Sequence, residues 1–268
     1  MMPSVAERTP QPLVSCQMVT RDRPGLARRA LRCFEAQTWE NRELVVVDDG
    51  GADYAPVLAA LGGERPVHYH KLRSAPGRLL GALRNESLDR ASGDYCIQWD
   101  DDEWYHPERI ARQMRPVLEE KREGSLLDFT LMHCDTPELG AHPYRTGLPF
   151  GTPGSLLHKR GSTRYPNLAR GEDSAFVRAV KRRLSLSRLG REESHLLIRC
   201  YHGDNTWEAG HFTERLRFGP VGAARYLKAR FLAGDVFTHP AFALDARERG
   251  AVDAFLEESR RLGVLRHF

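Results

Sequence analysis

Short apolar runs alternate with amphipathic segments along the first hundred residues of the chain. The runs at 13–20, 43–47 and 94–99 hold few charged side chains, as is typical of strands buried on both faces of a parallel sheet. Between them, the segments 22–38 and 81–91 repeat apolar residues at helical spacing. This order of strands and helices predicts a doubly wound α/β domain, in which ligands bind at the carboxyl ends of the strands.

The pattern is less regular in the second half of the chain. It predicts strands at 126–133, 155–158 and 195–201, and a helix at 172–183. From residue 222 onward the spacing of apolar residues is mainly helical. We therefore expect the sheet to be completed by short, scattered strands before the chain ends in helices.

These patterns predict three parts of unequal size. Residues 1–12 are polar and contain prolines, so we expect a flexible tail. Residues 13–215 form the main α/β domain, and 216–268 form a helical C-terminal extension. The last helix is predicted at about 245–262, with Gly263 as the glycine that ends it.

The composition of the 268 residues is that of an ordinary globular protein, with 41% hydrophobic and 28% charged side chains. It excludes a disordered chain and a small disulfide-rich scaffold. The 40 Lys and Arg exceed the 36 Asp and Glu by only four. This surplus suits an anionic ligand or a peripheral contact with a membrane surface, and we predict no nucleic-acid partner.

Cellular location is predicted from the cysteines and from the apolar runs. The five cysteines are odd in number and none are spaced as Cys-x-x-Cys, which favours a reducing compartment over a disulfide framework. No apolar run approaches 18 residues, and the N-terminal segment lacks the apolar core of a secretion signal. We expect a cytoplasmic protein, with room for peripheral contact at the inner face of the membrane.

A run of acidic residues, Asp100, Asp101, Asp102 and Glu103, directly follows the predicted strand at 94–99. Adjacent carboxylates repel one another, so a fold tolerates them best where a cation neutralises them. Carboxylate oxygens suit Mg²⁺ or Mn²⁺, and such ions commonly bridge to substrate phosphates. If the strand geometry continues, Asp100 and Asp102 point the same way. The alternative is a solvated acidic turn.

Two further acidic pairs occupy positions where they could serve chemistry. Asp48 and Asp49 end the strand at 43–47, where a carboxylate could accept hydrogen bonds from a base or a ribose hydroxyl; the alternative is an ordinary Asp-Gly turn. Glu172 and Asp173 open a predicted helix, where a carboxylate could act as a general base. On spacing alone, capping of that helix is the favoured interpretation.

Several other polar residues are candidates with plain structural alternatives. His202 follows a predicted strand and could bind a metal ion or a phosphate, or simply lie in a loop. Arg78 could neutralise a diphosphate, whereas for Arg84 a solvated helix face is favoured. Asp22 precedes the first helix and is predicted to cap it. The basic stretch 178–191 is a solvated face that could also meet anionic lipid.

Taken in order, four segments resemble the landmarks of family 2 glycosyltransferases with the GT-A fold. The first is Thr-Arg-Asp-Arg-Pro at 20–24, and the second runs from Gln-Thr at 37–38 to Val-Asp-Asp-Gly at 47–50. The third contains Arg-Asn at 84–85 and leads through Ala-Ser-Gly-Asp-Tyr to the acidic run, and the fourth is Gly-Glu-Asp at 171–173. The resemblance covers about residues 13–207.

The resemblance implies a GT-A fold: a Rossmann-like, mostly parallel central sheet flanked by helices. Residues 13–105 would form the half that binds the nucleotide sugar, and 106–215 the half that binds the acceptor. The implied reaction is the transfer of a single sugar, with inversion, from a UDP-, GDP- or dTDP-sugar to a hydroxyl group. Such enzymes commonly require Mn²⁺ or Mg²⁺.

The resemblance also assigns roles to individual residues. Asp173 would be the catalytic base, with Glu172 positioning it or a sugar hydroxyl. The metal ion would be bound by Asp100, Asp102 and His202. The nucleotide sugar would contact Thr20, Asp22, Asp48, Asp49, Arg78, Asn85, Asp100 and Asp101.

Departures from the family pattern leave several properties open. Asp22 stands where the family commonly has Asn and Arg21 where it commonly has an aromatic residue, so the nucleotide base is not determined. There is no Gln-x-x-Arg-Trp motif, which argues against a processive membrane-embedded synthase. The acceptor could be a glycan, a lipid-linked saccharide, a natural product or a peptide, and the C-terminal segment could contact it, a membrane or a second copy in a homodimer.

Two other functions are compatible with the same residues. A nucleotidyltransferase or phosphohydrolase would also place carboxylates and Mg²⁺ on a nucleotide-binding α/β sheet. The absence of a Walker-type loop and of Gly-x-Gly-x-x-Gly argues against that class. A non-catalytic protein that binds a sugar nucleotide is the other alternative, although it would have no need of a general base.

Overall fold

A seven-stranded sheet forms the centre of the computed structural model. The structure describes residues 11–62, 65–137, 140, 143–203 and 243–267. The strands of this sheet are β1 (Val14–Thr20), β2 (Arg42–Asp48), β3 (Val67–Lys71), β4 (Tyr95–Gln98), β6 (Gly124–Leu127), β9 (Leu157–Lys159) and β10 (Leu186–Leu189).

The strand order is β10–β6–β9–β4–β1–β2–β3. β9 is antiparallel to its neighbours β4 and β6, and the remaining pairings among these strands are parallel. β1 and β2 pair from Val14 opposite Arg42 to Thr20 opposite Asp48. The predicted, mostly parallel α/β sheet is therefore confirmed, and the carboxyl ends of β1, β2 and β4 lie along one edge.

Helices flank the sheet and connect its strands. They are α1 (Pro24–Glu35), α2 (Ala55–Ala59), α3 (Leu80–Arg90), α4 (Arg109–Glu119), α5 (Glu172–Lys181) and α6 (Ala246–Leu262). Two 3₁₀ helices span Pro153–Ser155 and Arg191–Leu196. Within α1, Pro24 occupies the first turn, where its missing N–H costs nothing, and Ala30, Leu31 and Phe34 turn into the core.

A second, smaller sheet packs beside the first in the order β5–β11–β7–β8. Its strands are β5 (Trp104–Tyr105), β7 (Phe129–Cys134), β8 (Tyr144–Gly147) and β11 (Leu197–Tyr201). The prediction of one strand over 126–133 is wrong, because the chain changes sheets at Asp128. There the Asp128 amide donates to Leu189 and its carbonyl accepts from Leu148, which separates β6 from β7.

The strands predicted at 155–158 and 195–201 are displaced in the structure. A 3₁₀ turn occupies residues 153–155, and β9 begins only at Leu157. Another 3₁₀ helix continues through Leu196, so that β11 begins at Leu197. Each strand therefore starts at its first paired residue, Leu157 opposite Ile97 and Leu197 opposite Tyr105, rather than where the apolar run begins.

The predicted final helix is confirmed as α6. Asp245 caps its N-terminus in a capping box with Glu248, and Gly263 ends it at a φ of 65°. Its apolar face, including Val252 and Phe255, joins the core formed by β1, β2 and α1. The predicted tail up to residue 10 and the helical pattern over 222–242 lie outside the described residues.

The helices that the structure describes include none that is both long and apolar enough to cross a membrane.

Candidate functional site

An open cleft with a cavity volume of about 160 Å³ lies where β1 and β4 end and α5 begins. It is lined by the acidic run 100–103, by residues 169–173 before and within α5, and by Arg84 of α3 and Arg199 of β11. The cleft therefore brings together the acidic run and the Glu172–Asp173 pair, which are far apart in sequence.

Asp101 is the structural anchor of the acidic run. Only 1% of the residue is exposed; its carboxylate accepts a 2.5 Å hydrogen bond from Thr20 and lies 2.8 Å from Arg23. Thr20 in turn lies 2.6 Å from the Tyr54 hydroxyl. Burial and the adjacent Asp102 carboxylate raise the pKa of Asp101. The end of β1 and the acidic run are thus fastened to each other below the cleft.

Asp102 and His202 contact each other. The Asp102 Oδ2 atom lies 3.0 Å from Arg23 Nη1 and 3.3 Å from His202 Nε2, and the Asp102 carbonyl accepts a 2.6 Å hydrogen bond from Arg29. Burial acts to raise the pKa of Asp102, but the His202 hydrogen bond and the Arg23 charge outweigh it and lower that pKa. They are two of the three residues for which metal binding was predicted, and their binding of an ion stays a prediction.

Asp100 has a different set of partners. Its Oδ1 lies 3.0 Å from Arg84 Nη1, and its Oδ2 accepts a 2.7 Å hydrogen bond from Gln98. The strand does not continue through the acidic run, because the chain turns at Asp101 and Asp102. Asp100 and Asp102 therefore line one cleft without converging on common partners among the described residues, and metal binding by Asp100 stays a prediction.

Arg84 joins the acidic run to α5. Besides Asp100, it lies 3.1 Å from Glu172, and only 8% of the residue is exposed. The favoured interpretation of Arg84 as a solvated helix residue is wrong, because α3 turns this side chain between two carboxylates. Although burial opposes its charge, Asp100, Tyr165 and Glu172 raise the pKa of Arg84. Its guanidinium links the two acidic elements of the site.

Glu172 and Asp173 lie in the first turn of α5. The N-cap position belongs to Gly171, which has a φ of 74° and makes no side-chain cap. Both carboxylates nevertheless lie in the first turn, where the helix dipole favours them, so this part of the structural interpretation holds. Glu172 is buried, and burial together with Asp173 raises its pKa against the effect of Arg84. Asp173 lines the cleft and accepts a 2.6 Å hydrogen bond from the Ser174 amide.

The predicted nucleotide ligands after β2 are held by other protein groups. Asp48 is fully buried and accepts hydrogen bonds from Tyr69 at 2.6 Å and Lys71 at 2.7 Å. Asp49 forms a two-point ion pair with Arg21, one contact of which is 2.8 Å. Neither residue lines the cleft. Their contact with a nucleotide stays a prediction, and their described role is to order the chain after β2.

Asp22 does not cap α1, and that prediction is wrong. The N-cap residue is Arg23, without a side-chain cap. Asp22 adopts a φ of 54°, and its carboxylate accepts hydrogen bonds from the amides of Gly51 at 2.6 Å and Ala52 at 2.8 Å. These amides lower the pKa of Asp22. The side chain thus connects the loops that follow β1 and β2, because the left-handed backbone points it there.

Arg78 and Asn85 lie near α3 but do not line the cleft. Arg78 donates a 2.7 Å hydrogen bond to the carbonyl of Arg73. The Asn85 side chain donates to the Tyr165 carbonyl at 2.9 Å and accepts from the Tyr165 amide at 2.8 Å. Asn85 therefore fixes the loop before α5, and a direct contact of either residue with the donor stays a prediction.

Sequence interpretation assigned no individual role to three groups that shape the site. Arg23 forms ion pairs with Asp101 and Asp102. The sequence feature that could have identified it is its position in the segment 20–24, which resembles a landmark of the family. Glu103 accepts a 2.9 Å hydrogen bond from the Cys200 amide, and burial with Asp102 raises its pKa. Arg29 is buried below Asp102, and nothing in its helical surroundings distinguished it from a surface arginine.

Residues 15–156, more than half of the chain, match the model of glycosyl transferase family 2. The putative glycosyltransferase EpsH of Bacillus subtilis (strain 168) is 28% identical over 109 residues, covering 41% of this chain and 31% of EpsH. The chain thus matches about a third of the length of this relative.

Two solved structures share the fold. S. aureus TarS 1-349 in complex with UDP aligns with a TM-score of 0.57 at 14% identity, covering 95% of this chain and 83% of that one. The mannosyltransferase PcManGT from Pyrobaculum calidifontis, in complex with GDP-Man and Mn²⁺, aligns with a TM-score of 0.53 at 14% identity, covering 94% and 76%. The predicted GT-A architecture is therefore confirmed.

Proposed function

Because the chain belongs to glycosyl transferase family 2, we propose that it transfers one sugar from a nucleotide-diphosphate donor to a hydroxyl group, with inversion. The observation that carries this proposal is the cleft itself, in which the acidic run and the Glu172–Asp173 pair face one space and are joined by Arg84. Donor and acceptor must meet between a group that stabilises the leaving diphosphate and a group that takes a proton, and the cleft offers both.

The residues on the diphosphate side fit a divalent cation. Asp102 Oδ2 and His202 Nε2 are 3.3 Å apart, and a carboxylate oxygen with an imidazole nitrogen suits Mn²⁺ well and Mg²⁺ in part. Burial, with a smaller contribution from Asp102, raises the pKa of Asp101 and Glu103. When bound, the ion would stabilise the charge of the departing diphosphate. Asp102 and His202 would hold it, with Asp100 beside them.

Asp173 is the proposed general base. It lines the cleft at the start of α5, where the helix dipole favours the carboxylate that must exist before it accepts a proton. In the reaction, the acceptor oxygen forms a bond to the anomeric carbon while the bond from that carbon to the diphosphate oxygen breaks. The acceptor proton moves to Asp173. Glu172 does not compete for this proton, because it is paired with Arg84.

A second cavity adjoins the cleft and is proposed to receive the acceptor. It shares Arg84, Asp100, Asp173 and Arg199 with the cleft, and extends beneath the loop that contains Leu148. A group bound there has the base on one side and the acidic run on the other. The chemistry of this cavity does not distinguish a glycan acceptor from a lipid-linked saccharide, a natural product or a peptide.

Calorimetry with a donor panel tests the donor half of the proposal. The panel contains UDP-GlcNAc, with which TarS forms a complex, and GDP-mannose, with which PcManGT does, together with UDP- and dTDP-hexoses. We expect one donor to bind in the presence of Mn²⁺ and the D102N variant to lose that binding. Metal-independent binding that D102N leaves unchanged would contradict the assignment of the ion site.

Transfer assays test the catalytic half. We expect D173N to bind the donor normally and to lose transfer by about 10²–10⁴-fold, the usual contribution of a general base. The matched control is D89N, which removes a carboxylate from an exposed ion pair with Arg164 and should not change transfer. Full activity in D173N would disprove the base assignment. Release of free sugar or pyrophosphate would indicate a hydrolase or nucleotidyltransferase, and retention at the anomeric carbon would disprove inversion.

A further inference from the structure

A second cluster of metal-ligating side chains lies between the start of α4 and the start of β11. It consists of His106, Glu108 and His195, and one ligand atom from each lies within 4.8 Å of the other two. The two imidazole rings are 5.0 Å apart and nearly perpendicular. None of the three lines the catalytic cleft. The cluster is therefore a separate feature of the molecule, which the proposed sugar transfer does not use.

His195 carries the observation that points to a ligand. Only 3% of the residue is exposed, and its Nδ1 atom has no hydrogen-bond partner within the part of the chain that the structure describes. A buried polar atom without a partner costs about 1–3 kcal/mol, so such atoms in native proteins call for an occupant. The cluster offers one ring nitrogen of His195 to an ion, and an ion bound at Nδ1 would give that atom a partner.

His106 also offers a ring nitrogen with a lone pair. Its Nδ1 atom accepts a hydrogen bond from the Glu108 amide at 3.2 Å. This contact is at the long end of the normal range, and an ion at that nitrogen would replace it.

Two arginines lie beside the carboxylates near the cluster. Arg112 is 3.2 Å from Glu108 and 3.7 Å from Glu193, and Arg115 is 4.0 Å from Glu193. Glu193 is buried, and its Oε2 atom has no hydrogen-bond partner among the described residues. Glu193 is thus a second carboxylate near the cluster, besides Glu108.

We propose that His106, Glu108 and His195 form a Zn²⁺ site, with a water molecule as the fourth ligand. Two imidazole nitrogens and one carboxylate oxygen are a ligand set that Zn²⁺ favours, whereas Mg²⁺ and Mn²⁺ prefer more oxygen atoms. The site is independent of the proposed glycosyl transfer, because it shares no residue with the cleft. His106 and Glu108 lie in the turn between β5 and α4, and His195 lies in the 3₁₀ helix before β11.

The position of the site explains what the ion would do. β5 and β11 pair over only two residues each, Tyr105 with Leu197 and Trp104 with Ile198, and the His106 amide adds a 3.1 Å hydrogen bond to the Leu196 carbonyl. The ion would cross-link the chain at the end of this short ladder. The other end of the ladder leads directly into the acidic run and into His202, so the cross-link would steady both sides of the catalytic site.

Zinc titration of the full, EDTA-treated chain tests the site. We expect one Zn²⁺ to bind per chain, to raise the melting temperature, and to remain bound in D102N, which alters only the catalytic cleft. In H106A and H195A we expect the affinity to fall by at least about 100-fold, because even the loss of an outer-layer partner of a ligand costs about 10- to 100-fold. Binding that is unchanged in both histidine variants, or that disappears only in D102N, would overturn the proposal.

Two measurements keep the test decisive if the histidine variants fail to fold. E108Q changes a side chain that is 43% exposed, so it should fold and should still show weakened zinc binding. In the unaltered chain, Co²⁺ should give the intense visible absorption of four-coordinate cobalt, and Zn²⁺ should abolish it. Absence of that absorption, or equal affinities of E108Q and the unaltered chain, would refute the site. The loss of sugar transfer in any variant is not a criterion.

Discussion

Replacing Arg84 with methionine removes the one described side chain that pairs with both the acidic run and α5. The guanidinium lies 3.0 Å from Asp100 and 3.1 Å from Glu172, with 10% of its side chain exposed. Breaking a buried ion pair by removing one partner costs about 3–5 kcal/mol, because the remaining charge is left unpaired. Two carboxylates are left here, so we expect R84M to lose stability near the upper end of this range.

Urea unfolding of R84M measures this loss, and for a chain of this size it corresponds to a fall in melting temperature of roughly 10 °C or more. R84K keeps the charge without the two-pronged geometry and should recover only part of the stability. The double variant R84M/E172Q removes one of the stranded charges, so its loss should be smaller than the sum of the single losses by about 1–3 kcal/mol. An R84M protein within about 0.5 kcal/mol of the unaltered chain would show that Arg84 is solvated after all.

Two further predictions concern the buried charged residues Glu248 of α6 and Arg29 of α1. Glu248 is paired with Arg145, and its hydrogen bonds to Arg145 and Ser194 outweigh burial and lower its pKa; E248Q should therefore cost about 3–5 kcal/mol at pH 7. This stabilisation is present above the unfolded pKa of a glutamate and is lost as the pH falls through the lower folded pKa. The unfolding free energies of E248Q and of the unaltered chain should therefore converge below pH 4.5. A difference in unfolding free energy between the two proteins that does not narrow on acidification would contradict the pairing of Glu248 with Arg145. R29M should lower the affinity for Mn²⁺ and donor in calorimetry by about tenfold or more, because a hydrogen bond from a charged donor contributes about 1.5–3 kcal/mol and Arg29 holds the Asp102 carbonyl; unchanged affinity would show that the carbonyl needs no such support.

The elements with strong local patterns could be predicted from the sequence. The run at 13–20 is β1 and the predicted helix at 245–262 is α6, each within one residue. A strand buried on both faces gives a continuous apolar run, and a helix with one buried face gives apolar residues at helical spacing. The two-residue β5 could not be predicted, since it exists only through its pairing with β11. α4 was missed because Pro116 stands within it and arginines interrupt its apolar positions.

At the site, the sequence indicated which residue types gather but not which way each one faces. Asp102 and His202 were expected to meet, and they do. The partners of Asp48 come from β3, which the periodicity of β2 does not reveal. Arg84 was misjudged for a similar reason: helical spacing gives the face of α3, whereas the burial of that face depends on α5, nearly ninety residues later.

The C-terminal helix α6 belongs to the support of the catalytic site, although the sequence suggested a separate extension. Arg29 of α1 is only 1% exposed; it donates to the Asp102 carbonyl at 2.6 Å and to Ser259 of α6 at 3.1 Å, and its guanidinium lies 5.1 Å from the centre of the Phe255 ring. A buried guanidinium has to have its hydrogen bonds met by fixed partners. Displacing α6 would therefore strand Arg29 and release the backbone of the acidic run, so a change in the contacts of this helix can reach Asp102 through that side chain.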